Sequence, residues 1–143
     1  MYLTKSRFKI GISCPTKLYY DTSENYKNSD DGNEFMKALA KGGIQVGEMA
    51  KLYYPGGIEI DTVGKENQLN QTNEALLQEN VIIYEAAIKV GHKFIRVDIL
   101  EKKGDLINII EVKSASCNGS DESQFTSTKT LKKREYLEDI AFQ

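Results

Sequence analysis

The sequence has few cysteines, no long apolar run and little net charge, and each scarcity excludes a class of protein. Two cysteines among 143 residues, Cys14 and Cys117, do not make the disulfide framework of a small secreted domain. No apolar run approaches the roughly 20 residues that a membrane-spanning helix needs. The first ten residues, MYLTKSRFKI, carry charges throughout and lack the apolar region of a signal peptide. We therefore expect a cytoplasmic protein with no membrane partner.

The net charge of −2 provides no overall positive field that would attract nucleic acid. Any such partner must instead contact a local basic patch. Two clusters of basic residues are present: Lys5, Arg7, Lys9 and Lys17 near one end, and Lys129, Lys132, Lys133 and Arg134 near the other. They are predicted either to contact phosphates beside a site or to form solvated charged surfaces.

What the sequence does have is an ordinary globular composition, with 40% apolar and 28% charged residues in a length that fits one domain with a core. Helical spacing of apolar residues is strongest from Glu34 to about Tyr54 and returns from Leu131 to Gln143. Shorter helices are predicted between a cap at Thr4 and a stop at Gly11, around Pro15, and over Gln71–Gln78.

Three strands are predicted in quick succession, at 81–88, 93–100 and 106–113. The connections between them, KVGH and EKKGD, are short and contain glycine, which indicates two antiparallel hairpins. A further short strand is predicted at 58–60, and the Ser- and Thr-rich residues 114–130 are predicted to form a mobile loop. The expected fold class is therefore α/β, of the α+β kind.

Each of the three predicted strands contains one acidic residue: Glu85, Asp98 and Glu111. The hairpin registers decide whether these side chains are neighbours. A four-residue second loop at 103–106 sets Asp98 directly opposite Glu111, and a two-residue loop at 103–104 sets Asp98 opposite Ile109, with Glu111 on the diagonal. A three-residue loop puts the two on opposite faces unless a bulge intervenes. A four-residue first loop sets Glu85 opposite Asp98. The three carboxylates are thus candidates for one acidic row across the sheet.

Such a row needs a compensating cation, because like charges that face each other destabilise a sheet. A hard divalent ion such as Mg²⁺ binds carboxylate and water oxygens, and it activates water for attack on a phosphate. Lys113, two residues after Glu111, is placed to assist that water or to offset charge on phosphorus. The structural alternative is a surface ion-pair network, in which Lys113 pairs with neighbours of Glu111 and no concave site surrounds them.

Five segments together resemble the RecB-like branch of the PD-(D/E)XK nucleases, which includes CRISPR-associated exonucleases. They are LTKSRFKIGISCPTKLYY, VGEMAKLYYPGG, IIYEAAI, RVDILE and IIEVKSAS, and in this order they resemble one uncharacterised bacterial family over almost the whole chain. The resemblance implies a restriction-endonuclease-like core, with a central mixed sheet flanked by helices, and metal-dependent cleavage of DNA.

The resemblance also gives each candidate residue a role. Asp98 and Glu111 match the metal ligands, and Lys113 matches the catalytic lysine. Glu48 matches the upstream acidic or histidine position that closes the metal site from a helix, and Glu85 is expected to support the site. The implied cofactor is Mg²⁺ or Mn²⁺.

Three further expectations concern the ends of the chain. RecB-like enzymes often carry Gln-x-x-x-Tyr in the helix after the lysine strand, and Gln143 matches the glutamine as a DNA-contacting residue; we expect residues 1–143 to be the N-terminal nuclease-like domain of a longer protein. Cys14 resembles an iron–sulfur ligand that would need three more cysteines, although a half-buried structural cysteine is the favoured interpretation. Tyr19 and Tyr20 are predicted to pack in the core or, less favoured, to stack on single-stranded bases.

The function expected from the sequence is a Mg²⁺- or Mn²⁺-dependent deoxyribonuclease acting on single-stranded DNA or duplex ends. The alternative is a non-catalytic nuclease-fold module that binds DNA or a protein partner.

Overall fold

The computed structural model describes residues 1–26, 33–115 and 134–143, and it gives an α+β protein. The described residues contain five helices and an open, mixed sheet of four strands. In chain order the elements are α1 (Lys5–Ser13), α2 (Pro15–Tyr20), α3 (Glu34–Lys51), β1 (Ile58–Glu59), α4 (Lys65–Ala75), β2 (Asn80–Val90), β3 (Lys93–Lys103), β4 (Leu106–Ile110) and α5 (Arg134–Phe142). They fall into two compact units, one of Met1–Tyr2 with Glu34–Ser114 and one of Leu3–Asn33 with Ala115–Gln143.

The first unit is built on the sheet, whose strand order is β1-β2-β3-β4. β1 runs parallel to β2, whereas β2, β3 and β4 are antiparallel neighbours joined by two-residue loops. Each loop begins with a glycine, Gly91 or Gly104, at a φ of 57°. A positive φ at the first loop residue alone is the pattern of a type II′ turn, which matches the twist of the flanking strands. The two predicted hairpins are confirmed.

The core of this unit runs along β2 and β3. Ile83, Val97, Ile99 and Leu100 are at most 1% exposed. Burying side chains of this size stabilises the fold by about 1.5–3 kcal/mol each, so these four positions hold the central hairpin together.

α4 packs beside β2, where β1 is only two residues long and leaves part of the edge unpaired. The buried hydroxyl of Thr72 accepts a hydrogen bond from the Ala87 N–H at 3.0 Å and donates one to the Gln68 carbonyl at 2.9 Å. Leu69 packs with Ala87 and Phe94 on the same side. A helix therefore provides the apolar and polar cover that a longer β1 would have given.

A tight joint connects α3 to β1. The Gly57 N–H donates to the Tyr84 hydroxyl at 3.1 Å, and that hydroxyl donates to the Tyr54 carbonyl. A Cβ on Gly57 would lie 2.3 Å from the Tyr84 ring, so glycine is required here. The C-terminal end of α3 is thereby fastened to the sheet.

The second unit contains α1, α2 and α5. Thr4 caps α1 as predicted, accepting a hydrogen bond from the Arg7 N–H at 3.4 Å. The predicted helix stop at Gly11 was wrong, because α1 continues beyond it. A Cβ at Gly11 would lie 3.0 Å from Leu18, so this glycine permits close packing of α2 rather than ending α1. Pro15 opens α2, as predicted.

α5 packs against α1 within the same unit. The rings of Phe8 and Phe142 stack with their centroids 4.7 Å apart. The Lys9 ammonium lies 3.5 Å from the buried carboxylate of Asp139 and 3.6 Å from Glu135. An aromatic contact and a cluster of opposite charges thus hold α5 against α1.

The predicted helices and strands are present in the structure, but several of them begin or end at other residues than predicted. The helix predicted over Gln71–Gln78 runs from Lys65 to Ala75, because a threonine occupies one of its buried positions and weakens the apolar pattern. The predicted loop at 114–130 lies almost wholly outside the described residues. None of the described helices has both the length and the apolar character needed to cross a bilayer.

Candidate functional site

The strand registers bring two of the predicted carboxylates face to face. Because Val90 pairs with Lys93 across the first hairpin, Glu85 falls opposite Asp98. The ladder omits this one position, since the pairs on either side of it form and the Glu85–Asp98 pair does not. The observed loop has two residues, 91 and 92, whereas this register was expected from a four-residue loop at 90–93. The register is the same in both cases, because Val90 and Lys93 form one additional pair at the end of the hairpin.

The second hairpin has the register that directs Asp98 towards Glu111. The last pair of the ladder joins Ile99 to Ile110, so the next position along would set Asp98 opposite Glu111. β4 ends before that position, three residues short of the predicted end at Lys113. The expectation of a strand through residue 113 was therefore wrong.

Just after the end of β4, a side-chain hydrogen bond replaces the backbone hydrogen bonds of the strand. The Asp98 Oδ2 atom accepts a hydrogen bond from the Val112 N–H at 2.7 Å. That amide would otherwise be available for sheet pairing, so the carboxylate replaces a ladder acceptor and fixes the segment after β4. Asp98 is thus both half-buried and held in place.

Glu85 has an unusual backbone conformation. Its φ of 57° makes it the one non-glycine residue with positive φ among those described, in the middle of a long strand. Its carboxylate lies 3.2 Å from the Arg96 guanidinium. Burial raises the pKa of Glu85; Arg96 opposes this effect, and the negative charges of Asp98 and Glu59 add to it. Glu85 therefore holds its proton more tightly than an exposed glutamate, chiefly because it is partly buried.

A cleft of about 350 Å³ opens beside these carboxylates. The sheet contributes Glu85, Asp98, Ile99 and Val112 to its lining, and one face of α3 contributes the rest. The α3 residues are Ala40, Gly43, Ile44, Gly47, Glu48 and Lys51. Glu48 thus lines the same cleft from the helix side.

Glu111 and Lys113 bond to each other, through the Lys113 ammonium and Glu111 Oε1. The Glu111 side chain is 4% exposed and that of Lys113 is 31% exposed. Neither is among the residues that line the cleft, where Val112 between them takes that place. The structure therefore brings Glu48, Glu85 and Asp98 to one cleft, and Glu111 and Lys113 flank Val112, which also lines it.

Lys51 is a site residue that the sequence reasoning missed. Its ammonium donates to Glu48 at 2.8 Å and to Glu59 at 2.6 Å, and it lies 5.2 Å from the centroid of the Tyr84 ring. Burial lowers the pKa of Lys51, but the hydrogen bonds and charges of the two glutamates outweigh that effect and raise it. The i, i+3 spacing from Glu48 was the available signal, whereas the contact with β1 was not visible in the sequence.

The carboxylates of the cleft fit a magnesium-type ion in donor chemistry, though not as a complete cage. Within the described parts of the chain, no group of three or more His, Cys, Asp or Glu side chains is close enough to hold a metal. Mg²⁺ commonly uses only one or two carboxylates, with water and substrate phosphate completing its shell. Glu85 and Asp98, which both line the cleft, can supply such a pair.

The predicted DNA-contacting residues that the structure describes all belong to the second unit. Arg7 pairs with Asp21 at 2.8 Å, and Arg134 pairs with Glu138 at 2.7 Å. Lys9 contacts acids of α5 as described above. Lys5 lies on α1, Lys17 lies exposed on α2, and Gln143 follows α5; Lys129, Lys132 and Lys133 lie outside the described residues.

Two expectations for the cysteines and tyrosines need correction. Cys14 is exposed between α1 and α2, so the half-buried side chain was wrong; Cys117 lies outside the described residues. With one cysteine in the described parts, these residues do not fit a four-thiolate iron–sulfur cluster. Tyr19 and Tyr20 are 78% and 39% exposed, so the favoured core packing was also wrong. α2 turns Leu18 inwards instead.

Comparisons with protein-family models, with curated proteins and with solved structures found no match to this chain. Its function must therefore be argued from the chemistry of the cleft.

Proposed function

We propose that the chain is a metal-dependent DNA nuclease of the RecB-like PD-(D/E)XK type, with a restriction-endonuclease-like core. The observation that supports this most is the register that sets Glu85 opposite Asp98 at a cleft, with Glu48 facing them from α3. Like charges that face each other destabilise a sheet, and a divalent ion between them would remove that repulsion. The reaction is hydrolysis of a phosphodiester bond.

The proposed ligands of Mg²⁺ or Mn²⁺ are Asp98 and Glu111, with Glu85 and Glu48 in support. When bound, the ion would polarise a phosphoryl oxygen and lower the pKa of a bound water. The chain's own residues set the geometry. The Val112 N–H fixes the Asp98 carboxylate, and Lys51 holds Glu48.

Lys113 is the proposed catalytic lysine, and its present partner is Glu111. For catalysis its ammonium would turn from that carboxylate towards the substrate phosphate, where it would orient the attacking water or offset developing charge. A divalent ion that binds Glu111 would favour this exchange, because it would replace the lysine as that carboxylate's counter-charge.

The test is cleavage of single-stranded and duplex DNA by the full chain with Mg²⁺ or Mn²⁺. Lys113→Ala should lower the cleavage rate at least about 100-fold, as removal of a group that stabilises the transition state commonly does. Lys103→Ala is a matched control, because Lys103 also pairs with a glutamate two residues away, Glu101, at 2.8 Å on β3. The control should cleave like the wild type. Cleavage that Lys113→Ala leaves unchanged would remove this lysine from the mechanism.

A second candidate, a non-catalytic nuclease-fold module that binds DNA or a protein, is favoured by one specific observation. Glu111 and Lys113 are paired with each other and do not line the cleft. This candidate predicts equal DNA binding in Mg²⁺ and in EDTA, and no cleavage. It also predicts that Mg²⁺ leaves the thermal midpoint unchanged in both the wild type and Asp98→Asn, whereas the nuclease proposal predicts stabilisation of the wild type alone.

A further inference from the structure

Three tyrosines of the second unit form an exposed group, which we call the tyrosine cluster: Tyr19, Tyr20 and Tyr26. Tyr19 is 78% exposed, Tyr26 is 62% exposed and the central Tyr20 is 39% exposed. The rings of Tyr19 and Tyr20 meet edge to face with centroids 4.9 Å apart, and those of Tyr20 and Tyr26 lie 4.5 Å apart. Single exposed apolar side chains are common, but contiguous ones mark interaction surfaces.

The backbone holds the cluster together. Two successive turns bring Tyr26 back next to Tyr20. In the first turn the Ser23 N–H donates to the Tyr20 carbonyl at 2.9 Å, and in the second the Tyr26 N–H donates to the Ser23 carbonyl at 3.2 Å. The Arg7–Asp21 ion pair ties the end of α2 to α1. The rings therefore need little further ordering before they bind a partner, which lowers the entropic cost of binding.

The inward face of α2 explains why the tyrosines point outwards. Leu18 approaches Gly11 on α1 closely enough that a Cβ there would lie 3.0 Å from the leucine. In a six-residue helix whose Leu18 packs towards α1, the next residue, Tyr19, points about 100° away around the helix axis. The exposure of Tyr19 follows from this packing.

One basic side chain beside the cluster is open to an anionic partner. The described residues of this unit carry as many acidic as basic side chains, and Arg7 and Lys9 are paired with acids of the same unit. Lys17, on the same short helix as Tyr19 and Tyr20, is exposed and forms no ion pair within the described part of the chain. Aromatic rings beside basic groups are the combination that tracks single-stranded nucleic acid, with stacking for the bases and cations for the phosphates.

We propose that the tyrosine cluster binds single-stranded DNA by stacking on unpaired bases, an inference that rests on the proposed nuclease function. Base faces are accessible for stacking only where the strands are separated, so the cluster selects single strands over duplexes. Lys17 adds a phosphate contact that carries no sequence information.

The experiment measures binding of the full chain to a labelled oligonucleotide of about 16 nucleotides, single-stranded or in duplex form, in EDTA. Tyr19→Ala and Tyr26→Ala should each weaken single-strand binding about fivefold or more, which is the effect of losing one base–aromatic stack. Tyr19→Phe keeps the ring and should bind like the wild type. Tyr53→Ala is the matched control, because Tyr53 is 84% exposed but lies outside the cluster.

A second readout uses the wild-type chain alone. The protein has eight tyrosines and no tryptophan, so tyrosine emission is observed directly and stacking should quench it on addition of the single strand. Unchanged single-strand affinity in both alanine variants, or equal affinity of the wild type for single strand and duplex, would overturn the proposal. Because binding is measured without metal, the result is separate from cleavage. Tyrosine-dependent binding without nuclease activity would refute the proposed function and support this inference. Cleavage with tyrosine-independent binding would support the proposed function and refute this inference.

Discussion

The left-handed backbone of Glu85 permits a sharp test of the site. A non-glycine residue at this φ costs about 1–2 kcal/mol, and glycine avoids that cost. Glycine loses about 0.5–1 kcal/mol more conformational entropy than alanine when it folds. Glu85→Gly should therefore be more stable than Glu85→Ala by about 0.75 kcal/mol, the difference between the centres of these two ranges, since both variants remove the carboxylate and only glycine relieves the strain.

The control is the same pair of substitutions at Lys89, on the same strand without a positive φ. There Gly should be less stable than Ala by about 0.5–1 kcal/mol, so the sign of the difference reverses between the two positions. Urea unfolding of the four variants, compared by midpoint at constant slope, measures both differences. An alanine variant as stable as the glycine variant at position 85 would show that this strain is absent and refute the argument.

The charge of Glu85 gives a related pH dependence. Its pKa is raised by burial and by Asp98 against the opposing effect of Arg96, so the folded state holds this proton at pH values where the unfolded state has lost it. Stability should therefore fall as the pH rises from the ordinary value of 4.5 to the raised value. Glu85→Gln should remove this part of the pH dependence in thermal unfolding, and an identical profile in the variant would contradict the assignment.

Three other positions test the packing. Gly57→Ala should destabilise the chain by about 1–3 kcal/mol in urea unfolding, because the added methyl overlaps the Tyr84 ring, and a neutral result would show that this joint is loose. Gly43→Ala, inside α3 with open space around it, should instead stabilise by about 0.5–1 kcal/mol, and a loss of stability would mean that the space is filled. Thr72→Val should cost about 1–3 kcal/mol because it removes the acceptor of the Ala87 N–H, whereas Thr72→Ser should retain most of the bond; equal losses would assign the effect to packing.

The cleft combines a strained backbone at Glu85, the opposed residues Glu85 and Asp98, and glycines within α3. Each of these features lowers the stability of the free protein, and strain of this kind concentrates at functional sites.

Short-range patterns in the sequence were enough to predict much of the sheet. Alternating apolar residues defined β2 and β3, and a glycine between each pair of strands placed the hairpin turns. Counting residues along the strands showed that one loop length would set Glu85 opposite Asp98, and the structure supplied the loop that gives this register. These features depend on neighbours within one hairpin, where chain geometry leaves few alternatives.

Contacts between distant segments decided the rest. The Lys51 contact with Glu59 required α3 and β1 to meet, and the Val112 bond to the Asp98 side chain ended β4 early. The outward position of Tyr19 depended on Leu18 packing against α1. The sequence by itself determined which charged residues occur in or beside the strands. Only the tertiary structure decided which of them face the cleft, because packing between elements sets the direction of a side chain.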